Sequence, residues 1–222
     1  MSSHLRAGFS AARNTAHTIA SQSRSRACLQ PRVSGPTTFK RNATSTTPHS
    51  LIFDPGEMEA SRCTAEGTRK LKEGDVRTAN SLYKRSAEIK RNANSLFNLG
   101  ITHYQLKEFD EAIDVWKESV ALQPQSADVH ANLASAYITS PLPRADLALH
   151  HLHIASSLSP EDPEITFNLA TILEATGRLE QALEQYKRSR EFGAERAVMH
   201  IQDVTARLRA KEMQEANMYN NL

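Results

Sequence analysis

Cysteine is scarce in this 222-residue chain, which has only Cys28 and Cys63. If the N-terminal segment that carries Cys28 is removed, Cys63 stands alone and no disulfide can form within the chain, which suits a reducing compartment. Long apolar runs are also missing, because no stretch approaches the roughly 18 consecutive apolar residues that cross a bilayer. We therefore expect neither a disulfide framework nor an integral membrane span.

The sequence also lacks the motifs of common enzyme classes. It has no glycine-rich phosphate loop, no HExxH zinc motif and no dinucleotide-binding fingerprint. Cys63 has no partner that would mark it as a nucleophile. The acidic run at 108–114 spans a predicted helix start, where carboxylates complement the helix dipole and cap free amides, so we do not interpret it as an acid/base pair. We expect a non-catalytic protein without a cofactor.

Acidic residues are entirely absent from 1–53, which carries seven basic residues. Of the 27 Lys and Arg residues, the other 20 lie in 54–222 together with all 25 acidic residues, so that part has a formal net charge of −5. A strongly basic groove is what a helical-repeat RNA binder needs to meet phosphate. The charge balance therefore makes RNA binding the least favoured function, and we expect no nucleic-acid partner.

The acid-free segment has the composition of a mitochondrial transit peptide, rich in Ser, Thr, Ala and Arg. At about 100° per residue on a helix, its apolar residues share one face and its basic residues flank that face. The apolar set is Leu5, Phe9, Ala12, Ala16 and Ile19, and the flanking set is Arg6, Arg13, His17 and Arg24. We interpret 1–50 as a disordered basic leader that directs the protein to mitochondria, with the matrix as the expected compartment. A basic tail on a cytoplasmic protein is the alternative.

One five-residue pattern occurs three times in the rest of the chain. Leu-Phe-Asn-Leu-Gly at 96–100 returns as His-Ala-Asn-Leu-Ala at 130–134 and as Thr-Phe-Asn-Leu-Ala at 166–170. The central asparagines are separated by 34 and then 36 residues. Each copy is followed by a second apolar stretch, and the first two copies end near a proline, Pro124 and Pro160. A period of this length indicates a helical repeat protein.

The pattern resembles the tetratricopeptide repeat, a helix–turn–helix unit of about 34 residues. Small residues lie where the two helices would cross, and bulky residues fill the space between them. The matching residues are Gly100, Phe109, Ala112, Trp116 and Pro124 in one repeat, Ala134, Tyr137, Ala148 and Pro160 in the next, and Ala170, Gly177, Ala182 and Tyr186 in the last. An earlier copy with Gly67, Gly74, Ala79 and Tyr83 is weaker, because Arg91 replaces its proline.

The resemblance implies an all-α fold, a right-handed superhelix of helix–turn–helix repeats with a C-terminal capping helix. We expect the repeat array at 58–194, a capping helix at 195–217 and a short tail at 218–222. The array divides into a degenerate repeat at about 60–92 and full repeats at 93–126, 127–162 and 163–194. A 3–4-spaced apolar stripe in the capping helix would cover the last groove, which would otherwise be exposed. Its residues are Ala197, Ile201, Val204 and Leu208.

In this family the first helix of each repeat lines the concave groove that binds partners. The predicted partner-binding residues are Asn98, Asn132 and Asn168, one per full repeat, with Phe97, Ile101, Tyr104 and Phe167 as apolar anchors. An amide is both a donor and an acceptor, so stacked amides could hold an extended backbone without reading its sequence. The alternatives are that Asn is merely common at this repeat position and that the apolar residues pack against neighbouring helices.

A carboxylate clamp of the kind that grips chaperone C-termini in some family members is not indicated. In the two possible registers the positions that should be basic hold Thr64, Thr68 and Asp128, or Phe97, Ile101 and Glu164. An acidic residue there would repel a carboxylate.

Histidines offer the only metal-like spacing, with His150 and His153 three residues apart on one predicted helix. No cysteine lies nearby in sequence and the repeat register places these histidines at outer, solvated positions, so we expect no metal site, and we interpret His103 and His130 as structural. The predicted function is a protein-binding scaffold or assembly factor in mitochondria. A structural accessory subunit of a mitochondrial complex or ribosome is the alternative.

Overall fold

The structure, a computed structural model, describes residues 54–220, so the predicted leader lies outside the described residues. Nine helices occupy this part of the chain, with no strand among the described residues. They are α1 (Pro55–Lys72), α2 (Val76–Ile89), α3 (Ala93–Gln105), α4 (Phe109–Leu122), α5 (Ala127–Thr139), α6 (Ala145–Leu158), α7 (Pro163–Ala175), α8 (Leu179–Glu191) and α9 (Ala197–Asn220). The expected all-α fold class is confirmed.

Short polar side chains fix several helix starts. The carboxylate of Asp162 accepts hydrogen bonds from the backbone N–H groups of Glu164 and Ile165, at 2.9 and 3.0 Å, and Pro163 follows as the first helical residue. Asn92 caps α3 in the same way through Ser95 N–H, at 2.9 Å. Such caps satisfy amide groups that have no partner inside the helix.

Left-handed backbone ends the first helix of three pairs. Gly74 and Gly177 have φ values of 84° and 80° in the turns after α1 and α7, a conformation that glycine adopts without a Cβ penalty. In the turn after α3 the same conformation falls on Lys107, with φ 65°. Lys107 is the only non-glycine residue with positive φ within 54–220.

Each helix contacts the helices before and after it in sequence, which is the contact pattern of a solenoid. At the crossing within each pair lie an alanine of the second helix and one large residue four positions later. The alanines are Ala79, Ala112, Ala148 and Ala182, and the large residues are Tyr83, Trp116, Leu152 and Tyr186, all fully buried. Even the weak first repeat therefore packs like the others.

A serine contact ties the two helices of three pairs together. Ser86, Ser119 and Ser189 donate hydrogen bonds to the first-helix carbonyls of Ala60, Ala93 and Pro163, at 2.9, 3.0 and 2.7 Å. The third pair has Ala155 at the same position. Because a buried hydroxyl needs a partner, each serine fixes the distance between its two helices.

Helix α9 covers the end of the array. Ala197 and Val204 are fully buried against α8, and Ile201 and Leu208 pack at the edge of the core. The helix begins two residues after the predicted start at 195 and continues to 220, beyond the predicted end at 217, because no glycine or proline interrupts it. Every residue from 209 to 219 is exposed, so this last part extends beyond the array.

Candidate functional site

The three predicted asparagines occupy the same position on the first helices of successive pairs, α3, α5 and α7. Asn98 is half-buried, and its Nδ2 lies 3.3 Å from Oδ1 of Asn94, one turn earlier. Asn132 and Asn168 are far more enclosed, with 5% and 6% of their surfaces exposed. The asparagines on α5 and α7 are therefore much more buried than the one on α3.

One of the two enclosed amides has a buried oxygen without a protein partner. Oδ1 of Asn168 is buried and accepts no hydrogen bond within the part of the chain that the structure describes. An unpaired buried polar group costs about 1–3 kcal/mol, so such groups in a native protein need an explanation.

Two of the four predicted apolar anchors lie in the core. Ile101 and Phe167 are each only 2% exposed. The Phe167 ring makes edge-to-face contacts with Tyr186 and His200, with ring centroids 5.3 and 5.1 Å away, and the Arg196 guanidinium lies 3.9 Å from its centroid. In this arrangement both side chains pack against neighbouring helices, which is the alternative that the sequence left open.

The other two anchors, Phe97 and Tyr104, are half-buried on α3. The Tyr104 ring packs near Phe109 and Trp116, and its hydroxyl lies 3.0 Å from Oγ1 of Thr139 on α5. Burial raises the pKa of the Tyr104 hydroxyl, so the group stays neutral. Part of each side chain thus remains exposed on α3.

Hydroxyl groups beside the asparagines were not predicted from the sequence. Thr171, three residues after Asn168, lies 3.2 Å from the Tyr186 hydroxyl, and Thr68 lies 2.9 Å from the Tyr83 hydroxyl. The threonine and its tyrosine partner are 15 residues apart in both repeats, a spacing that could have revealed the pair. These contacts bind the first helix of a repeat to the second.

The carboxylates on α7 are neutralised by the capping helix. Oε2 of Glu164 lies 2.5 Å from Nη2 of Arg196, and Oε1 of Glu174 lies 2.6 Å from Nη1 of Arg207. Glu174 also accepts a hydrogen bond from the Tyr186 hydroxyl at 2.8 Å, and burial raises the pKa of Tyr186. Arg207 therefore links α9 to α7 through an ion pair.

The histidine pair found in the structure differs from the one suggested by the sequence. His150 and His153 are both exposed, whereas Nδ1 of His151 lies 2.9 Å from Nδ1 of His130. His130 Nε2 donates to the carbonyl of Pro124 at 3.1 Å, so its Nδ1 is the acceptor and His151 donates. Within 54–220 no group of three or more His, Cys, Asp or Glu side chains could hold a metal ion.

Burial lowers the pKa of both paired histidines. The pKa of His151 falls to about 4, because burial disfavours the cation and the neighbouring His130, His150 and Lys117 repel it. The pKa of His130 is also lowered, chiefly by burial. Both rings are therefore neutral at pH 7, and Tyr137 stacks on His151 with centroids 5.7 Å apart.

His103 pairs with a carboxylate at the turn between α3 and α4, where its Nδ1 lies 2.6 Å from Oε2 of Glu108.

None of the helices in 54–220 combines the length and apolarity that a membrane span requires.

Comparisons with known proteins agree with the repeat geometry. The family described as "TPR repeat" matches residues 102–139, and the family described as "Tetratricopeptide repeat" matches residues 144–197. The anaphase-promoting complex subunit cut9 of Schizosaccharomyces pombe is 35% identical over 65 residues. That match spans 29% of this chain and 9% of cut9.

Two solved structures show the same fold. MamA from Desulfovibrio magneticus RS-1 superposes with a TM-score of 0.63 at 18% identity, over 73% of this chain and 92% of that one. YrrB, described as a TPR protein with an unusual peptide-binding site, gives 0.59 at 20% identity, over 68% and 78%. The chain therefore carries tetratricopeptide repeats, arranged as an all-helical right-handed superhelix that ends in a capping helix.

Proposed function

We propose that this protein is a non-catalytic scaffold or assembly factor that holds an extended segment of a partner protein along the inner face of its first helices. The inner face is defined here by Asn98, Asn132 and Asn168, with Phe97 and Tyr104 beside them on α3. The observation that carries the proposal is the recurrence of asparagine at one position of three successive first helices, α3, α5 and α7. A side-chain amide is both a donor and an acceptor, as the backbone of an extended segment requires.

Peptide binding by a related fold supports this use of the groove. YrrB is described as having a peptide-binding site, and its fold superposes on two thirds of this chain. Ile101 and Phe167 are left out of the proposed contact surface, because both are enclosed in the core. Their role is to position α3 and α7.

We further propose that the protein works in mitochondria, with the matrix as its compartment. The support is the acid-free composition of 1–53 and the spacing of its apolar and basic residues, which a helix would place on separate faces. A cytoplasmic protein with a basic tail is the alternative. N-terminal sequencing of the protein recovered from isolated mitochondria separates the two, because an intact leader on a cytosolic protein would overturn the mitochondrial proposal.

Affinity purification with a C-terminal tag from isolated mitochondria tests the groove. We expect the Asn98→Ala/Asn132→Ala/Asn168→Ala variant to lose most of the partners that the wild type recovers, while its circular dichroism and melting temperature stay near the wild-type values. Asn217→Ala, at an exposed position on α9, is the matched control and should recover the same partners. Equal recovery by the triple variant would mean that the asparagines do not contact the partner.

Gel filtration of the recovered complex distinguishes a transient scaffold from a structural accessory subunit. A stable complex of fixed stoichiometry favours the accessory subunit, whereas recovery that depends on protein concentration favours the scaffold. Nuclease treatment before purification checks that no nucleic acid holds the complex together, in line with the net charge of −5 in 54–222.

A further inference from the structure

We infer that the capping helix α9 is exchanged between two copies of this chain, giving a dimer in which each α9 covers the repeat array of the other copy. In that dimer the junction 192–196 straightens, so that α8 and α9 continue as one helix. The inference goes beyond the proposed function, because it concerns a second copy of the chain and not the partner segment.

A single glycine holds the junction between α8 and α9 closed. Gly193 has φ 104° and is the only residue of the junction with positive φ. Its N–H and that of Ala194 donate to the carbonyls of Arg190 and Ser189, both at 3.0 Å. These two bonds form the helix ending that depends on a left-handed residue, usually glycine. A change of backbone at this one residue would therefore open the turn.

The junctions after α4 and α6 are built differently. Those helices end in extended residues, Gln123 with φ −140° and Ser159 with φ −136°. Pro124 and Pro160 follow directly, and proline inside a helix removes a hydrogen bond and clashes with the preceding turn. The junction 192–196 has no proline, and its Ala, Glu and Arg residues favour helix. It can therefore straighten where the other two cannot.

Helix α9 is held on the array by few buried residues. Within 197–219 only Ala197 and Val204 are buried, whereas nine of the thirteen residues of α7 are buried. Elements that bury little apolar surface open locally at a lower cost than the core of a protein. We therefore expect α9 to leave the array while the other helices stay folded.

Two ion pairs give this contact its specificity. Arg196 pairs with Glu164 at 2.5 Å and Arg207 with Glu174 at 2.6 Å, and the two arginine side chains are 41% and 46% exposed. Ion pairs that are exposed to this extent contribute little to stability. They do require a covering helix to carry a positive charge at two fixed positions.

The surface under α9 fits the same helix from a second copy. His200 of α9 packs on Phe167 and Tyr186, with ring centroids 5.1 and 4.8 Å away, and both of those rings are buried. When α9 leaves, the two rings meet water, which favours covering them again. The α9 of another copy brings the same histidine, the same buried Ala197 and Val204 and the same arginines. Monomer and dimer thus share these contacts, and the backbone of Gly193 decides between them.

Gly193→Ala in the full chain tests the exchange by gel filtration with light scattering. An added Cβ would have no atom within 4 Å, so the substitution acts through the backbone and not through a clash. Alanine disfavours the closed turn and favours continuous helix, so we expect the dimer dissociation constant to fall at least about a hundredfold. A variant that stays monomeric, or that has the wild-type dissociation constant, would overturn the inference.

Gly177→Ala is the matched control for backbone strain. Gly177 also has positive φ, 80°, and an added Cβ would again have no atom within 4 Å. It lies between α7 and α8, where straightening would have to move two helices instead of one. We expect this variant to lose stability and to keep the wild-type dissociation constant. If both variants dimerised equally, the α8–α9 junction would not be the cause and the inference would be wrong.

Charge reversal distinguishes exchange of α9 from ordinary contact between two surfaces. On the Gly193→Ala background, one chain carries Glu164→Arg/Glu174→Arg and a second chain carries Arg196→Glu/Arg207→Glu. Each chain alone brings like charges together, whereas in the mixed dimer each array receives an α9 of opposite charge. We expect native mass spectrometry to show about tenfold more heterodimer than either homodimer. A statistical mixture of the three dimers would mean that α9 is not exchanged.

Discussion

Gly100 on α3 lies directly against Trp116 on α4, so closely that a methyl group on Gly100 would be 2.3 Å from Nε1 of the indole. Trp116 is fully buried and donates a hydrogen bond to the carbonyl of Phe97 at 3.0 Å. The indole therefore cannot retreat without breaking that bond. The same hydrogen bond fixes the position of the Phe97 carbonyl relative to α4, and Phe97 directly precedes Asn98 in α3.

We predict that Gly100→Ala destabilises the fold by about 2–3 kcal/mol, because overpacking a filled crossing forces side chains or backbone to shift. Gly67→Ala is a milder comparison, since the added methyl group would lie 3.0 Å from the nearest atom of the Tyr83 ring. We expect a smaller loss there. Urea unfolding followed by circular dichroism measures both, and equal losses would contradict the assigned contact.

Lys107 offers a stabilising change. Its φ of 65° is costly for a residue with a Cβ, and the side chain is exposed. We predict that Lys107→Gly raises the free energy of unfolding by about 0.5–1 kcal/mol. Lys117→Gly, at an exposed site inside α4, is the control and should lower it by about 1 kcal/mol. A loss of stability in Lys107→Gly would show that the side chain has a role of its own.

The His130–His151 pair predicts a loss of stability in mild acid. Both rings are held neutral in the fold, with the pKa of His151 lowered to about 4 from an unfolded value near 6.5. The unfolded chain therefore binds more protons than the folded chain below pH 6.5. The free energy of unfolding should fall by about 1–2 kcal/mol as the pH is lowered from 6.5 to about 4.

Unfolding free energies of the wild type and His151→Gln between pH 7.5 and 4.5 check this slope. His151→Gln keeps a donor for Nδ1 of His130 but cannot titrate, so its stability should fall less over the window. His153→Gln, at an exposed position of the same helix, should follow the wild type. If the stability of His151→Gln fell as steeply with pH as that of the wild type, the titrating group would be a different one.

Asn168 predicts opposite effects on stability and binding. Replacing an unsatisfied buried amide by an apolar side chain of similar size removes a desolvation cost, so Asn168→Leu should unfold at an equal or slightly higher urea concentration. The same protein should lose partner recovery in the affinity purification. Asn92→Leu is the comparison, because the loss of its cap on Ser95 should cost about 1 kcal/mol.

The period of Asn98, Asn132 and Asn168 was sufficient to predict the helix pairs, because repeat spacing and small crossing residues are local properties of the sequence. The burial of Phe167 was not readable in this way. Its ring is covered by His200 of α9 and by Arg196 just before that helix, about 30 positions further along the chain. Helical periodicity assigns a residue to a face, but it does not show which later helix will cover that face.

The histidines show the same limit of helical periodicity. Spacing on one helix favoured His150 with His153, whereas His151 pairs with His130 from the preceding helix. Partners that face each other across a helix crossing are set by the rotation of both helices. The 15-residue interval of the Thr68–Tyr83 and Thr171–Tyr186 contacts is a sequence signal of that kind, because it returns in two repeats.

The turn between α5 and α6 holds two extra residues without displacing either helix from its pair. Ser140 is buried there, and its hydroxyl donates to the carbonyl of Leu142 at 3.0 Å, so the longer turn closes on itself. Pro141, Leu142 and Pro143 remain outside the packed layer. Because the helix contacts lie mainly between sequence neighbours, the added length is absorbed where it arises and is not passed along the array. This edge of the molecule can therefore diverge in sequence, or accept a reporter peptide, while the inner face keeps its geometry.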